Sequence, residues 1–320
     1  MAKRHSIHDK RQKKHAQLVE RTSIIFKCTH GEAEKLLSQP LVQSLRLNTL
    51  KEKSEETVKM MREIGWEGRK IEWCENAYTI DKGYEALRDS SLISDGKIYI
   101  QNQSSWLPVI ALNPEAGESI LDVCAAPGGK SSHIAAIMGN EGRLIVNDNS
   151  RARLAKLKSN LERLGVAAEY RLLDATRLDR ALDGETFDKI LLDAPCSGEG
   201  LINLANPSTL DTWSVAHIRR LASLQKQHIR QAWQALKPGG RLVYSTCTMA
   251  PEENEAVIDW LLRRNPDAQV VQPLYKPAGV LPPVVKWNSS IYDQAVSQAL
   301  RIPPQGGNEA FFVCVLEKAA

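Results

Sequence analysis

The sequence contains no long apolar run. Its longest apolar segments, such as Leu107 to Leu112, fall far short of the ~18 residues that span a bilayer. The first residues are polar and basic and lack the apolar stretch of a secretory signal, so we expect a cytoplasmic protein with no membrane partner. Glycine and proline are not enriched, and 42% of the residues are hydrophobic. This composition excludes collagen-like and low-complexity chains and predicts a globular protein with a sizeable core.

Cysteine is scarce, and the spacing of the cysteines indicates neither a disulfide framework nor a zinc site. The 320 residues include six cysteines, with no CxxC pair and no Cys/His cluster of zinc-site spacing. In a reducing cytosol these thiols need not form disulfides. We therefore expect no metal, and each cysteine requires its own explanation.

Positive charge is concentrated at the N-terminus, although the net charge of the chain is only +4. The first fifteen residues contain six cations and one acid: Lys3, Arg4, Lys10, Arg11, Lys13 and Lys14 against Asp9. A basic arm over residues 1–15, followed by a nearly neutral body, suits contact with nucleic-acid phosphates. The alternative is a solvated terminal segment without a partner.

Hydrophobic periodicity predicts a small α+β domain over residues 16–100. Alternation predicts short strands, and three- and four-residue spacing predicts a helix that ends at Gly65. The strands are Ser44 to Leu50, Lys70 to Trp73 and Ala77 to Ile80, and the helix is Glu55 to Ile64.

Residues 101–320 follow a different pattern, in which buried apolar strands alternate with helices from residue 119 onward. This alternation predicts an α/β fold with a doubly wound, mostly parallel sheet. We expect Gln269 to Val271 and Phe311 to Leu316 to close the sheet, the second as an antiparallel edge.

Ligands of such sheets bind beyond the carboxyl ends of the strands, where two loops are suited to a cofactor. The loop from Asp122 to Lys130 has glycines that allow close backbone approach before a helix start. It does not have the GxGxxG pattern, which argues against a pyrophosphate-binding dinucleotide fold. In the next loop, Asp148 can accept hydrogen bonds from both hydroxyls of a ribose. The alternative is that it caps the following helix.

Two further loops at this edge carry thiols. Cys196 and Cys247 end strands that we expect to be neighbours, so both should face one pocket. A single cysteine at such a place is usually a small core residue, but two in equivalent positions are harder to explain in that way. Pro251, Glu252 and Glu253 predict that a helix starts just after Cys247.

Three sequence runs, LDVCAAPGGK, LLDAPCSGEG and YSTCTMAPEENE, resemble motifs of the RNA 5-methylcytosine methyltransferase family, the Nop2/Sun-type enzymes. Further matches at Arg46 to Asn48, Tyr99 to Asn102, Leu224-Gln225 and Phe311-Phe312 extend the resemblance over nearly the whole chain. It implies a class I S-adenosylmethionine-dependent methyltransferase fold with a small RNA-recognition-like N-terminal domain. The implied activity is methylation of cytidine C5 in RNA, with rRNA favoured and tRNA as the alternative.

The resemblance also implies the role of individual residues. Cys247 would attack C6 of cytosine and Cys196 would assist elimination, with Asp193 at the N3/N4 edge of the base and Lys130 in the active site. Without the resemblance the thiols could not be ranked, because DNA cytosine methyltransferases have their nucleophile in a Pro-Cys motif. The implied cofactor contacts are Cys124, Ala125, Ala126, Pro127, Gly128, Gly129, Lys130, Asp148, Arg153, Asp174 and Asp193. Of these, Cys124 is expected to act through its backbone, and Asp174 has the alternative role of a cap.

Two rival functions are less consistent with these motifs. An amino-adenine methyltransferase would favour a Pro-Pro-aromatic clamp in place of Ala194-Pro195-Cys196. A non-catalytic RNA-binding ribosome-assembly factor on the same fold would be expected to have lost a cysteine or Asp148, which this chain retains.

Ala310 departs from the glycine of many relatives, and we expect no additional C-terminal RNA-binding domain. We expect a monomer.

Overall fold

The computed structural model describes the backbone of residues 2–320 and side chains from Asp9 onward, so the side chains of Lys3 and Arg4 in the predicted arm lie outside the described residues. The helices are α1 (Ala2–Phe26), α2 (His30–Leu37), α3 (Ser54–Glu63), α4 (Tyr84–Arg88), α5 (Ser91–Ser94), α6 (Leu107–Leu112), α7 (Gly129–Met138), α8 (Arg151–Arg163), α9 (Leu178–Ala181), α10 (Val215–Gln234) and α11 (Glu255–Leu262). The strands are β1 (Ser44–Leu47), β2 (Ala77–Thr79), β3 (Ile98–Ile100), β4 (Ser119–Asp122), β5 (Arg143–Asn147), β6 (Glu169–Arg171), β7 (Phe187–Asp193), β8 (Leu236–Thr246), β9 (Ala268–Val271), β10 (Lys286–Trp287), β11 (Ser290–Ile291), β12 (Leu300–Ile302) and β13 (Phe311–Lys318). Within residues 2–320, no helix combines the length and the apolar character that crossing a bilayer requires.

The predicted doubly wound sheet is confirmed. Strands β4, β5, β6, β7 and β8 are parallel, and the sheet runs in the order β12-β13-β8-β7-β4-β5-β6. Successive strand residues such as Ile120 and Leu121 belong to different core clusters, because alternate side chains point to opposite faces. Both faces are therefore covered, as the apolar strands predict.

The expectation that Phe311 to Leu316 forms an edge was wrong. Strand β13 is antiparallel to β8, as expected, but β12 and β9 pair with its other side. Its side chains Phe312, Val313 and Cys314 are fully buried. An interior position explains this uninterrupted apolar run, because an edge strand is usually interrupted by charge.

The predicted strand at Lys70 to Trp73 was also wrong. Lys70 makes one isolated bridge to Tyr78, and the chain then turns, with the Cys74 amide donating to the Ile71 carbonyl. The turn allows the ring of Trp73 to stack on that of Tyr275, with centroids 5.6 Å apart. This distant aromatic contact replaces the strand that local alternation predicts.

The small antiparallel sheet β2-β1-β3 has its own core, which includes Leu45, Leu47 and Trp66. The predicted arm is the first part of α1, which continues without a break to Phe26. Helices α1 and α2 pack on the large sheet through side chains such as Leu18 and Leu37. The domain boundaries at residues 15 and 100 stay predictions.

Candidate active site

The carboxyl ends of three adjacent parallel strands bring the sequence-predicted site residues together. Strand β7 lies between β4 and β8, so Asp122, Asp193 and Thr246 end side by side. Lys130 follows β4 in the first turn of α7, and the loops after β7 and β8 carry Cys196 and Cys247.

The two thiols meet in this cluster. The Sγ atoms of Cys196 and Cys247 are 3.2 Å apart, and both side chains are partly exposed. The hydrogen bond with Cys247 and burial raise the pKa of Cys196 well above its usual value, and nearby Glu253 adds to the effect. Cys196 therefore keeps its proton at neutral pH, within reach of the Cys247 sulfur.

Lys130 and Asp193 form an ion pair beside the thiols. The Lys130 Nζ donates to Asp193 Oδ2 at 2.8 Å, and the Ser245 hydroxyl donates to Asp193 Oδ1 at 2.7 Å. Burial acts to lower the pKa of Lys130, but the charge and hydrogen bond of Asp193 outweigh it, and the pKa is raised. The ammonium also lies 5.3 Å from the ring centroid of Phe311. The pair offers a fixed cation and a fixed acceptor to a polar ring.

A cavity of about 250 Å³ adjoins this pair and is lined by the loop Cys124–Pro127 together with Gly129, Tyr99, Asp122 and Asp193. Gly128 has a φ of +106°, and a Cβ on Gly129 would lie 2.9 Å from the Tyr99 ring, so glycine is required at both positions. Tyr99 comes from β3 of the small domain. Both domains therefore line the cavity.

Asp122 is the buried acid of this cavity. Its Oδ2 accepts a hydrogen bond from the Ser131 hydroxyl at 2.7 Å, whereas Oδ1 has no partner among the described residues. Burial raises the pKa of Asp122 to about 7. An unpartnered carboxylate oxygen that faces a cavity suits a ligand with positive charge or hydrogen-bond donors.

Asp148 and Arg153 lie at the side of the cofactor loop. Asp148 Oδ1 accepts from the Ser150 amide at 2.9 Å, and Oδ2 lies 3.2 Å from Arg153 Nη2. That same Nη2 donates to the Ala126 carbonyl at 3.0 Å. Arg153 thus links Asp148 to the loop that lines the cavity.

Asp174 and Cys124 have less reactive surroundings. Asp174 is exposed, and its Oδ1 accepts from the amide and hydroxyl of Thr176, which lowers its pKa. It therefore acts as a cap, and its cofactor contact stays a prediction. Burial and the neighbouring carboxylates raise the pKa of Cys124 well above the usual value, so its thiol is not ionised.

Sequence reasoning missed a buried polar network that joins the two cysteine loops. Glu253, fully buried, accepts from the Ser197 amide and from Gln225 Nε2, each at 2.9 Å, and from the Ser197 hydroxyl. Burial raises its pKa to about 7. Gln225 on the buried face of α10 was the available signal, because a polar residue among apolar ones needs a partner.

The prediction that a helix starts at Pro251 was wrong. Helix α11 begins only at Glu255, and residues 251–254 form a turn with Asn254 at φ −112° and ψ −97°. Asn254 accepts from the Thr246 hydroxyl at 2.5 Å and donates to the Thr248 carbonyl at 2.9 Å. These bonds hold the Cys247 loop in place of a first helical turn.

The described part of the chain holds no group of three or more His, Cys, Asp or Glu side chains that could bind a metal ion.

Comparison with known proteins gives concordant matches. The family model described as 16S rRNA methyltransferase RsmB/F matches residues 109–317. Ribosomal RNA small subunit methyltransferase F of Shewanella piezotolerans (strain WP3 / JCM 13877) is 42% identical over 240 residues, which are 72% of this chain and 50% of that relative. The Klebsiella pneumoniae (strain 342) protein of the same name is 41% identical over 242 residues, with 74% and 50% covered. The match spans about half the length of these curated relatives.

Among solved structures, a methyltransferase homolog protein from Pyrococcus horikoshii has a TM-score of 0.78 and 29% identity. The match covers 94% of this chain and 98% of that one.

Proposed function

Because this chain belongs to the 16S rRNA methyltransferase RsmB/F family, we propose that it methylates C5 of a cytidine in ribosomal RNA with S-adenosylmethionine as methyl donor. The observation that carries the proposal is the pair of thiols, Cys196 and Cys247, 3.2 Å apart beside the Lys130–Asp193 ion pair. Ribosomal RNA is favoured over transfer RNA by the names of the relatives. We place the activity in the cytoplasm, where ribosomal RNA is found.

The residues around the cavity suit the cofactor by their chemistry. When bound, it supplies a methyl group on a positively charged sulfonium. The loop from Cys124 to Lys130 would hold it through backbone groups, and Asp148 would hold the ribose hydroxyls. Asp193 is already paired with Lys130, so the unpartnered oxygen of Asp122 is the group in this cavity that favours a cation or a hydrogen-bond donor.

Two thiols are useful because C5 of cytosine is a weak nucleophile. Addition of the Cys247 sulfur to C6 makes C5 enamine-like, so that C5 can take the methyl group. Water then takes the C5 proton, the electron pair of the C5–H bond restores the C5–C6 double bond, and the sulfur of Cys247 leaves C6 as a thiolate. Cys196, which keeps its proton at neutral pH, lies where it can return a proton to the departing sulfur of Cys247.

Lys130 and Asp193 orient the base. Ser245 and Lys130 fix the Asp193 carboxylate from two sides, so it presents an acceptor at one position. An acceptor there suits the N3/N4 edge of cytosine. The base must be unpaired or flipped to reach these groups.

The test is methyl transfer by the purified chain. 16S rRNA, small ribosomal subunits and transfer RNA are each incubated with labelled S-adenosylmethionine, and bisulfite sequencing locates the product. We expect label in ribosomal RNA with the wild type and none with Cys247→Ala. A wild type that binds ribosomal RNA and methylates none of these substrates would support the assembly-factor alternative instead.

A further inference from the structure

Helix α1 reaches both cysteine loops through one arginine. Arg21 Nη1 and Nη2 donate to the two carboxylate oxygens of Glu252 at 3.1 and 2.9 Å. The Arg21 Nε lies 3.8 Å from Glu199 Oε1. Glu199 follows Cys196 in its loop, and Glu252 follows Cys247 in the other. A residue far away in the sequence thus contacts both loops.

From Glu199, which Arg21 contacts as an ion pair, hydrogen bonds continue toward the two thiol loops. Glu199 accepts from Trp213 Nε1 at 2.7 Å and from the Thr248 hydroxyl at 3.3 Å. The Thr248 hydroxyl lies 3.0 Å from that of Ser197. Thr248 is adjacent to Cys247 and Ser197 is adjacent to Cys196, so the chain of contacts ends beside both thiols.

The contacts of Arg21 are buried. Its side chain is 11% exposed and that of Glu199 is 1% exposed, and the guanidinium lies 5.1 Å from the ring centroid of Trp287. In such surroundings the removal of one charge leaves its partners uncompensated, which strongly favours rearrangement of the segments that carry them.

Helix α1 holds Arg21 at a fixed place. Leu18, Val19 and Ile25 on the same helix are buried in the main core. The guanidinium therefore has little freedom to follow a loop that moves. This makes α1 a rigid support against which both loops are set.

We propose that Arg21 is a positioning residue for methyl transfer. It holds the Pro-Cys and Thr-Cys loops at the spacing that brings the sulfur atoms of Cys196 and Cys247 together. The kinetic consequence rests on the proposed function, but the thiol spacing does not, because it can be measured without RNA or cofactor.

The first experiment measures thiol spacing with phenylarsine oxide. This arsenic(III) reagent condenses with two neighbouring thiols, forming two As–S bonds and releasing its oxygen as water. We expect rapid capture of Cys196 and Cys247 in the wild type, seen by mass spectrometry of the linked peptides. Capture should be slower in Arg21→Gln and absent in Cys196→Ala.

The second experiment measures methyl transfer by the same proteins. Small displacements of reacting groups cost roughly tenfold to a hundredfold in rate. We expect a kcat lowered by that factor in Arg21→Gln, with the KM values for RNA and cofactor unchanged. Arg21→Lys keeps the charge and should recover part of the rate.

Arg143→Gln is the matched control. Arg143 also bonds both oxygens of a glutamate, Glu169, at 2.7 and 3.1 Å, but it lies at the amino end of β5, away from the thiols. Thermal unfolding checks that each variant is folded, and Arg21→Lys serves alone if Arg21→Gln does not fold.

Wild-type capture and wild-type kcat in both folded Arg21 variants would overturn the proposal, as would equal losses in Arg143→Gln. Loss of capture in Arg21→Gln together with a wild type that methylates no RNA would refute the proposed function and leave the spacing role of Arg21 supported.

Discussion

The sulfur atoms of Cys196 and Cys247 lie 3.2 Å apart, but the two thiols are suited to different roles. The raised pKa of Cys196, caused by its hydrogen bond with Cys247 and by burial, makes it a proton donor rather than an attacking group. A protonated Cys196 agrees with the assisting role that the family resemblance implies for this residue.

The first prediction separates the two thiols. Cys247→Ala should form no covalent species with RNA. Cys196→Ala should add to the base and methylate it but release the product poorly, because elimination lacks its proton donor. Denaturing electrophoresis with labelled RNA detects the adduct. Cys28→Ala, a thiol outside the site, serves as control. An adduct in Cys247→Ala and none in Cys196→Ala would reverse the roles.

The second prediction concerns Asp148. Loss of a charge-assisted hydrogen bond costs ~1.5–3 kcal/mol, so Asp148→Ala should bind S-adenosylmethionine roughly tenfold to a hundredfold more weakly. Titration calorimetry measures this affinity. Arg153→Ala, which removes the ion-pair partner of Asp148 and leaves the carboxylate, should have a smaller effect. Unchanged affinity in Asp148→Ala would refute the assignment of Asp148 to the ribose of the cofactor.

The third prediction is a pH dependence of stability that comes from Asp122. Burial raises its pKa from 3.8 to about 7. Between these values the folded chain holds a proton that the unfolded chain releases, so this group lowers the free energy of unfolding as pH rises. In urea unfolding, the wild type should lose stability relative to Asp122→Asn between about pH 4 and about pH 7, the interval between the two pKa values. A difference that is constant with pH would contradict the shift.

Among the elements, helix α1 shows that the basic N-terminal residues have two different surroundings. Arg11 bonds both carboxylate oxygens of Asp211, and the Lys14 ammonium donates to the carbonyls of Leu210 and Asp211. Lys10 and Lys13 are exposed. Part of the positive charge is thus used to anchor the helix, and the exposed lysines are available to phosphates.

The fourth prediction tests these exposed lysines. In the double variant Lys10→Gln and Lys13→Gln, the salt dependence of RNA binding should become shallower. The slope of log K against log salt should change by about 1–2, as expected for two phosphate contacts. Filter binding over a range of salt concentrations measures the slope, and cofactor affinity should not change. A slope equal to that of the wild type would show that these two lysines are solvated and do not contact phosphates.

At the scale of the whole molecule, buried polar side chains join the small sheet to the large domain. Asn48 Nδ2 donates to the carbonyls of Gly96 and Leu164 at 2.8 Å each. Arg46, also buried, donates to the Ser132 hydroxyl at 2.8 Å. Because Tyr99 of the small domain lines the cavity, these contacts also support the site proposed for the cofactor.

The fifth prediction tests the link at Asn48. Asn48→Ala leaves two buried carbonyls without this donor, which should cost about 1–3 kcal/mol in the free energy of unfolding. Urea unfolding measures the loss. Asn160→Ala, which removes one exposed bond to the Pro127 carbonyl within the large domain, should cost less. Equal losses in the two variants would show that the Asn48 link between the domains contributes no more to the free energy of unfolding than an exposed hydrogen bond does.

The sequence alone determined the α/β alternation, the strand ends that carry Cys196 and Cys247, and the family. These follow from local signals, namely apolar strand patterns and continuous motif runs. The resemblance to RNA cytosine methyltransferases is confirmed by the family match. The roles of the individual site residues stay predictions, both the catalytic ones such as Cys247 and the cofactor contacts such as Asp148.

Only the tertiary structure decided that β13 lies inside the sheet, that residues 251–254 turn before α11 begins, and that Arg21 joins the two cysteine loops. Each of these depends on contacts between groups far apart in the sequence, such as Arg21 and Glu252, which are 231 residues apart. Such contacts have no periodic pattern in the chain, because they are selected by burial of charge and by backbone pairing in the folded protein.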